Sequence, residues 1–369
     1  MLQNFYNKIK LRTIDFYIIK KFIGTFAFSL TIIVLISVVF DYAEKVDDFM
    51  ENKAPISEII FDYYLNFIPY FANLFSYIFT FITVILFTSR MASGSEVIAI
   101  LSTGISYRRM LYPYFISATI IAIFSFLLSA FVIPYANKDR LAFEYKYILN
   151  NPYGNYEKNI HRQIRPGIFV YASSYDGKSQ IAQRFSIEKF ENGKLISKLN
   201  SNYAQWDSTS QKWHVFNYYN REIKGMTEVI TKGLQIDTSA FILPTDFSRG
   251  RKVRETMNIN ELDSYIKEER ARGSSAIEQF EIEKYKRFAS PFATYILMLI
   301  GVSLSSRKVR GGTGLHVGIG IFLSFSYILF FEIFSQAAIG GVIPSIIAVW
   351  IPNLIYVLIA FILYKLAPK

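Results

Sequence analysis

The feature that most constrains this chain is a set of six long apolar runs that contain no Asp, Glu, Lys or Arg. The runs are 19 to 32 residues long. A bilayer core about 30 Å thick needs roughly 20 apolar residues to be crossed by a helix. The runs are Phe22–Phe40, Tyr63–Ser89, Met110–Asn137, Phe288–Ser306, Gly311–Phe331 and Ile333–Tyr364. The sequence therefore predicts six membrane spans and excludes a soluble protein.

The charged residues predict the orientation of the spans, because Lys and Arg concentrate in short cytoplasmic loops. Residues 1–21, 88–109, 305–316 and the C-terminal tail together carry 13 basic and 2 acidic residues, whereas the rest of the chain carries 27 of each. The loop 41–58 is acidic. We therefore expect both termini in the cytoplasm. The net charge of +11 then marks topology and contact with anionic membrane lipids, and no nucleic-acid partner is implied.

The one large hydrophilic segment, between the third and fourth spans, reads as a β domain followed by a helix. Short alternating strands fill residues 165–245, and Asn192-Gly193 is a two-residue hairpin signal. This pattern favours a sandwich or jelly roll, with further turns at Gly225 and Gly233. Residues 258–286 read as a helical stalk capped by Asn260.

Residues that carry catalytic or metal chemistry are sparse in this sequence. There is no Cys, and His161, His214 and His316 fall in three different regions. Gly177-Lys178-Ser179 lacks the earlier glycine of a phosphate-binding loop, so we interpret it as a turn. The sequence therefore predicts no catalytic residue, no metal site and no cofactor on this chain.

A short amphipathic helix is predicted in the second cytoplasmic segment. Ser93 and Glu96 have the spacing of a capping box, and Gly104 is a suitable stop. The apolar side is formed by Val97, Ile98, Ile100 and Leu101. This helix either lies at the membrane interface or docks into a partner protein.

Glu332 interrupts the apolar sequence near the end of the fifth span. An intramembrane carboxylate is costly and is a functional-site hypothesis by default. The alternative is a position near the outer end, where Glu332 reaches water or a Ser or Tyr of another helix.

Several stretches resemble the LptF/LptG permease family. Asp15–Lys20 resembles its opening signature, and Ser95–Gly104 resembles its cytoplasmic coupling helix. Phe288–Pro291 resembles the entry to its fourth span, and Gly311–Glu332 its glycine-rich fifth span. Ile343-Pro344 and Ile351-Pro352 resemble its sixth span.

The resemblance implies an α-helical membrane protein of three plus three spans with an inserted periplasmic β-jellyroll-like domain. The first three spans then occupy 1–137, with a coupling helix at about 93–104. The β domain occupies 138–257, the stalk 258–287 and the last three spans 288–369.

The resemblance also implies a role in the bacterial inner membrane. Such a permease pairs with a second LptF/LptG-type subunit on an LptB-type ATPase dimer, which holds ATP and Mg²⁺. It extracts lipopolysaccharide and passes it to an LptC-like periplasmic protein. The F-type and the G-type subunit both fit. Two other functions are weighed beside this one, an envelope scaffold and an ion-coupled secondary transporter that uses Glu332.

The candidate site residues fall into two groups. The coupling group is Arg90, Ser93, Ser95, Glu96, Ser102 and Gly104. The substrate-path group is Lys45, Arg140, Glu332, Phe169, Tyr171, Phe185, Trp206 and Trp213. The two tryptophans that flank a predicted turn, Trp206 and Trp213, either fill the domain core or form a wall for an apolar ligand.

The rim after the first span departs from the family pattern of cations that meet substrate phosphates. Lys45 is the one basic residue among the acidic side chains of Asp41, Glu44, Asp47 and Asp48. Like charges repel, so we expect this subunit to hold an anionic lipid mainly by apolar contacts.

Overall fold

The computed structural model describes residues 11–148, 158–177, 179–238, 243–244, 251–272, 277–306 and 314–367. Some sequence predictions lie outside these residues. They include the segment before residue 11, the cationic loop 307–310, Gly311, Gly312, Lys178 and the last two residues. The side chain of His316 is also outside the description.

Eight helices of the described chain carry the numbering used below. They are α1 (Thr13–Glu51), α2 (Ile56–Ser93), α3 (Glu96–Ser102), α4 (Tyr107–Ile148), α5 (Ile259–Arg272), α6 (Ile277–Ser305), α7 (Gly314–Ile339) and α8 (Ser345–Leu366). Six of them are long and apolar enough to cross a membrane, namely α1, α2, α4, α6, α7 and α8. The prediction of six spans is confirmed.

Seven strands lie between α4 and α5, which confirms the predicted β-rich segment. They are β1 (Lys158–Arg165), β2 (Ile168–Asp176), β3 (Ile181–Gln183), β4 (Ser186–Glu191), β5 (Lys194–Asp207), β6 (Lys212–Lys224) and β7 (Thr227–Thr238). A 3₁₀ helix, Arg251–Thr256, precedes α5.

The chain divides into two compact units. The helical unit comprises residues 1–44, 64–136 and 281–369, and the β unit comprises residues 45–63 and 137–280. Each unit has its own apolar core, because the buried side chains form separate clusters.

In the helical unit, α2 and α6 contribute to two buried cores. The first core joins them to α1, α3 and α4, with Phe22, Val97 and Met298 among its members. The second joins them to α7 and α8, through Leu297 and Tyr356. Both helices therefore lie at the centre of this unit.

The strands of the β unit pair into one antiparallel sheet. Its order is β1, β2, then β3 and β4 at the same place, then β5, β6 and β7. β3 and β4 share one row, because both pair with β2 on one side and with β5 on the other. Asn192 and Gly193 form the predicted hairpin turn, with φ of 49° and 75°. The described strands therefore form a meander rather than two separate sheets.

A crease crosses this sheet, and it is defined by pairs of inward-facing residues three positions apart. In a regular strand every second side chain faces the same side. Here both members of each pair face the core, and the pairs are Ala172/Tyr175, Ala182/Phe185, Ser201/Ala204 and Val215/Tyr218. Arg184 and Asn217 lie on the crease with φ near +50°. One extra residue in each of four rows thus shifts the alternation of inward and outward side chains while the pairing register continues.

Two details of the β unit differ from the sequence predictions. Gly233 lies inside β7 opposite Tyr218, where a Cβ would come within 2.6 Å of the tyrosine ring. It therefore makes room for a ring and does not form a turn. Asn258, not Asn260, caps α5, because its Oδ1 accepts from Glu261 N–H at 2.9 Å and Glu261 accepts from Asn258 N–H in return.

Candidate functional site

The predicted coupling segment contains a short helix, α3, that begins at Glu96. The prediction that Ser93 caps it is wrong, because Ser93 is the last residue of α2. The α2 helix continues that far, and Gly94 N–H donates to the Arg90 carbonyl at 3.0 Å. Ser95, with φ of 61°, then reverses the chain, so Glu96 opens α3.

The two sides of α3 differ in burial. Val97 and Ile100 are buried in the core of the helical unit. Ile98 is 56 % exposed, so it does not belong to the apolar side predicted for it. Ala99 and Ser102 are also exposed. The exposed side chains of α3 are therefore one isoleucine, the small Ala99 and Ser102, and Glu96 at its start.

Side-chain hydrogen bonds are present at both ends of α3. Glu96 accepts a hydrogen bond from the Tyr17 hydroxyl of α1 at 3.3 Å. Ser102 donates to the Ala99 carbonyl at 2.9 Å. Gly104 follows the helix with φ of 83°, which confirms the predicted stop. Arg90 lies exposed near the end of α2.

Tyr17 is a residue that the sequence interpretation did not assign to this site. It is 79 positions from Glu96 along the chain. The available signal was its place in the stretch that resembles the family's opening signature. Only the fold brings the first turns of α1 against the start of α3.

The apolar candidates of the β unit lie on opposite faces of the sheet. Phe185 and Trp213 are fully buried, with stacked rings 5.8 Å apart, and Trp206 packs on Trp213 at 5.3 Å. Phe169 and Tyr171 face the other way, because they alternate with the buried Val170. The structure thus brings three candidates together as core and separates two from them.

The face that carries Tyr171 is polar and grooved. An open groove of about 520 Å³ crosses several strands there. Its lining includes Arg184, Asn200 and Asn217. The His161 ring packs on the Tyr171 ring at 4.5 Å. Such a surface does not shield acyl chains from water.

The charged candidates each have a partner within the chain. Lys45 donates to the Tyr63 hydroxyl. Arg140 is 5 % exposed, with its Nε 3.8 Å from Glu144 Oε1. Lys45 is half-buried and Arg140 is buried.

Glu332 lies on the exposed side of α7 and accepts from Gln336 Nε2 at 2.7 Å. The last residue of α7, Ile339, is seven positions further on. At 1.5 Å per residue, Glu332 lies about 10 Å from the helix end. The partner of Glu332 is thus a residue of its own helix, one turn closer to the helix end.

His214 of β6 belongs to a polar cluster with Asp207 of β5 and Asp237 of β7. Its Nδ1 lies 2.7 Å from Asp237 Oδ1. The hydrogen bond with Asp237 raises the pKa of His214, and it lowers the pKa of Asp237. No group of three or more potential metal ligands occurs among the described residues.

Comparison with known proteins gives two matches along nearly the whole chain. Residues 16–366 match the family model of the lipopolysaccharide export system permease LptF/LptG. A curated relative, the lipopolysaccharide export system permease protein LptG of Haemophilus influenzae, is 23 % identical over 354 residues. That alignment covers 94 % of this chain and 96 % of the relative. The chain therefore belongs to the LptF/LptG family of lipopolysaccharide export permeases, which are multi-pass inner-membrane transporter subunits and not enzymes.

Proposed function

We propose that this chain is the transmembrane subunit of an ABC-type exporter that extracts lipopolysaccharide from the inner membrane. A separate ATPase supplies the energy, and the β unit passes the lipid to a periplasmic bridge protein. The observation that carries the proposal is α3, a helix fixed on one side to the core and exposed on the other. Both termini and α3 are cytoplasmic in this proposal, and the β unit is periplasmic.

The exposed face of α3 fits a docking role for an ATPase dimer. Ile98 projects from a surface of small side chains, so it can enter an apolar pocket of a partner. Aliphatic anchors in pockets dominate the energy of many interfaces. Val97 and Ile100 hold the helix to the unit that must move. ATP and Mg²⁺ then bind the partner, and none binds this chain.

A second LptF/LptG-type subunit completes the transporter by packing on α1 and α7. These two spans have the fewest buried residues, with 17 % of each apolar window buried. Phe28 of α1 and Phe325 of α7 are 67 % and 60 % exposed. Two such half-transporters together can enclose a cavity, whereas a single subunit cannot.

The lipid path in the β unit lies on the inward face of the sheet, next to the filled core. Ile187 and Leu199 are directly opposite each other on β4 and β5 and are partly exposed. They border the buried cluster that contains Phe185 and Trp213. Acyl chains that contact this edge of the core gain burial at roughly 25 cal/mol per Å² of apolar surface.

A photocrosslinking experiment tests this path. A photoreactive residue replaces Ile187 in the permease complex reconstituted with its ATPase in vesicles that contain lipopolysaccharide. We expect ATP-dependent capture of lipopolysaccharide. The matched control is Phe169, an apolar residue of neighbouring β2 on the opposite face, which should capture little. Equal capture at both positions, or capture of protein partners alone, contradicts the path and favours a scaffold.

The docking role of α3 has its own test. Ile98→Asp should abolish copurification with the ATPase, because a carboxylate cannot enter an apolar pocket without a large desolvation cost. Ile56→Asp is the control, because Ile56 is 75 % exposed and lies in the β unit. The docking role is wrong if the two variants copurify with the ATPase equally well.

A further inference from the structure

The carboxylate of Asp15 is buried in the first turn of α1 and holds three hydrogen bonds. Asp15 is 1 % exposed. Its Oδ2 accepts from the Arg12 backbone N–H at 2.7 Å. The Arg109 guanidinium donates to both carboxylate oxygens, at 2.8 and 2.6 Å. A planar guanidinium bound in this two-pronged way fixes the relative orientation as well as the distance of the two groups.

Arg109 lies in the first turn of α4, directly after the connection from α3. Ser106 begins the first turn of α4, and its Oγ accepts from Arg109 N–H at 3.3 Å. The guanidinium also packs 5.1 Å from the centre of the Tyr112 ring. The Asp15–Arg109 pair thus joins the start of α1 to the segment directly after α3.

The start of α3 is joined to α1 as well. Tyr17, two positions after Asp15, donates to Glu96. Ile18 of α1 lies in the same buried core as Val97 and Ile100. Only about 10 Å³ of cavity is left between the two segments around Ile18 and Ile100. Therefore α1 contacts the start of α3 as well as the first turn of α4 that follows α3.

The apolar middle of α1 has few buried side chains. Its apolar window is 17 % buried, against 50 % for α2 and 56 % for α6. The far end of α1 is held as well, because Phe49 is buried and packs on Tyr63 and Phe143. The position of the start of α1 is therefore set by the contacts of its first turns.

We propose that Asp15 and Arg109 are positioning residues that transmit displacement of α3 to α1 during transport. The inference rests on the proposed function, because it requires an ATPase that moves α3. A partner that displaces α3 carries Arg109 with it, and the two-pronged bond carries the start of α1. Glu96 and Tyr17 guide the other end of α3, but their single bond does not fix an orientation.

The test uses the full permease complex with its ATPase in proteoliposomes. For Asp15→Ala and Arg109→Ala we expect normal ATPase copurification and ATP hydrolysis. Lipopolysaccharide released per ATP hydrolysed should fall about tenfold, within the range of measured coupling effects. The matched control is Arg108→Ala, an exposed neighbour on the same turn with the same change in charge.

Two further variants separate transmission from folding. Asp15→Asn keeps the size of the side chain, and Arg109→Lys keeps the charge but loses the two-pronged geometry. Both should reduce release per ATP while the chain still expresses and copurifies. The double variant Asp15→Arg/Arg109→Asp should recover part of the loss.

A distance measurement gives a readout that does not depend on lipopolysaccharide. The chain has no cysteine, so spin labels at Thr103→Cys and Lys21→Cys, both exposed and outside the proposed docking face and permease interface, report on the end of α3 and the start of α1 alone. Nucleotide should shift the distance distribution of both labels relative to a fixed site in the ATPase. In the Asp15→Ala variant, nucleotide should shift the distance distribution of the α3 label only.

The outcomes distinguish the inference from the proposed function. If wild-type protein shows no ATP-dependent release of lipopolysaccharide, the proposed function is wrong. The distances of the two spin labels then still show whether α1 follows α3. Unchanged release per ATP in both alanine variants overturns the inference. It is equally overturned if the variants lose the ATPase altogether, because the pair then shapes the docking surface.

Discussion

The six spans are similarly apolar, yet two of them are buried and two are not. In α2 and α6 at least half of the apolar window is buried, whereas in α1 and α7 the buried share is 17 %. Glycines show that the difference is one of helix faces, because on the packed face of α7 a Cβ on Gly320 would come within 2.3 Å of Ile85 of α2. A Cβ on Gly301 of α6 would lie 3.0 Å from Phe81 and Val84 of α2, while one on Gly24 of α1 or Gly318 of α7 would meet nothing within 4 Å.

The difference separates two uses of the same apolar composition. In α2 and α6 the side chains form the interior of one subunit. In α1 and α7 they form a surface that lipid or a second permease covers. The exposed spans are at least as apolar as the buried ones, because lipid tails are as apolar as leucine.

The largest expected effect comes from filling the tight contact between α2 and α6. Gly301→Leu should destabilise the chain by about 3 kcal/mol, because over-packing a dense core forces side chains and backbone apart. Thermal unfolding in detergent and the yield of monodisperse protein measure this.

Gly318→Leu is the control for that variant. It makes the same change on α7 in open space, so the unfolding temperature of the isolated chain should not fall. If both variants lose stability equally, the contrast between buried and exposed spans is wrong for this pair of helices.

A smaller effect is expected from the buried polar contacts of α8. Asn353 donates to the Ala289 carbonyl at 3.2 Å and accepts from the Tyr327 hydroxyl at 3.0 Å. Asn353→Ala should cost about 1 kcal/mol, a typical value for interhelical hydrogen bonds in membranes. A double-mutant cycle with Tyr327→Phe measures the coupling. Strictly additive effects would show that the bond contributes nothing.

The smallest effect is expected at Glu332 on the exposed side of α7. Glu332→Gln keeps a side chain that can accept from Gln336, so stability should change by less than about 0.5 kcal/mol. ATP-driven release of lipopolysaccharide should also be unchanged. Loss of transport with intact ATP hydrolysis would instead support the ion-coupled alternative.

The parts of the fold that depend on local sequence could be predicted. Each span is defined by the length of its apolar run, and the Asn192-Gly193 hairpin by two residues that tolerate positive φ. The Gly104 stop has the same origin. These features require no knowledge of distant partners.

The parts that depend on distant partners could not be predicted. Phe169 and Phe185 face opposite sides because β2 and β4 pair in the register that sets Phe169 against Glu188, and no local signal specifies which strands pair or in which register. Asp15 and Arg109 are 94 positions apart. Asp15 is the single acidic residue of the cationic segment 1–21. Its partner is nevertheless identified only by the packing of α1 on α4.

The crease also limits how the β unit can change over evolution. Its four rows keep their pairing because each carries the same additional residue. Deleting Arg184 alone would shift one half of that row by one residue relative to the neighbouring strands, which reverses the face that its side chains occupy. Phe185 would then move to solvent, or Ala182 would leave the core. Insertions and deletions here are accepted only together across neighbouring strands, so relatives are expected to keep the whole crease or to lack it entirely.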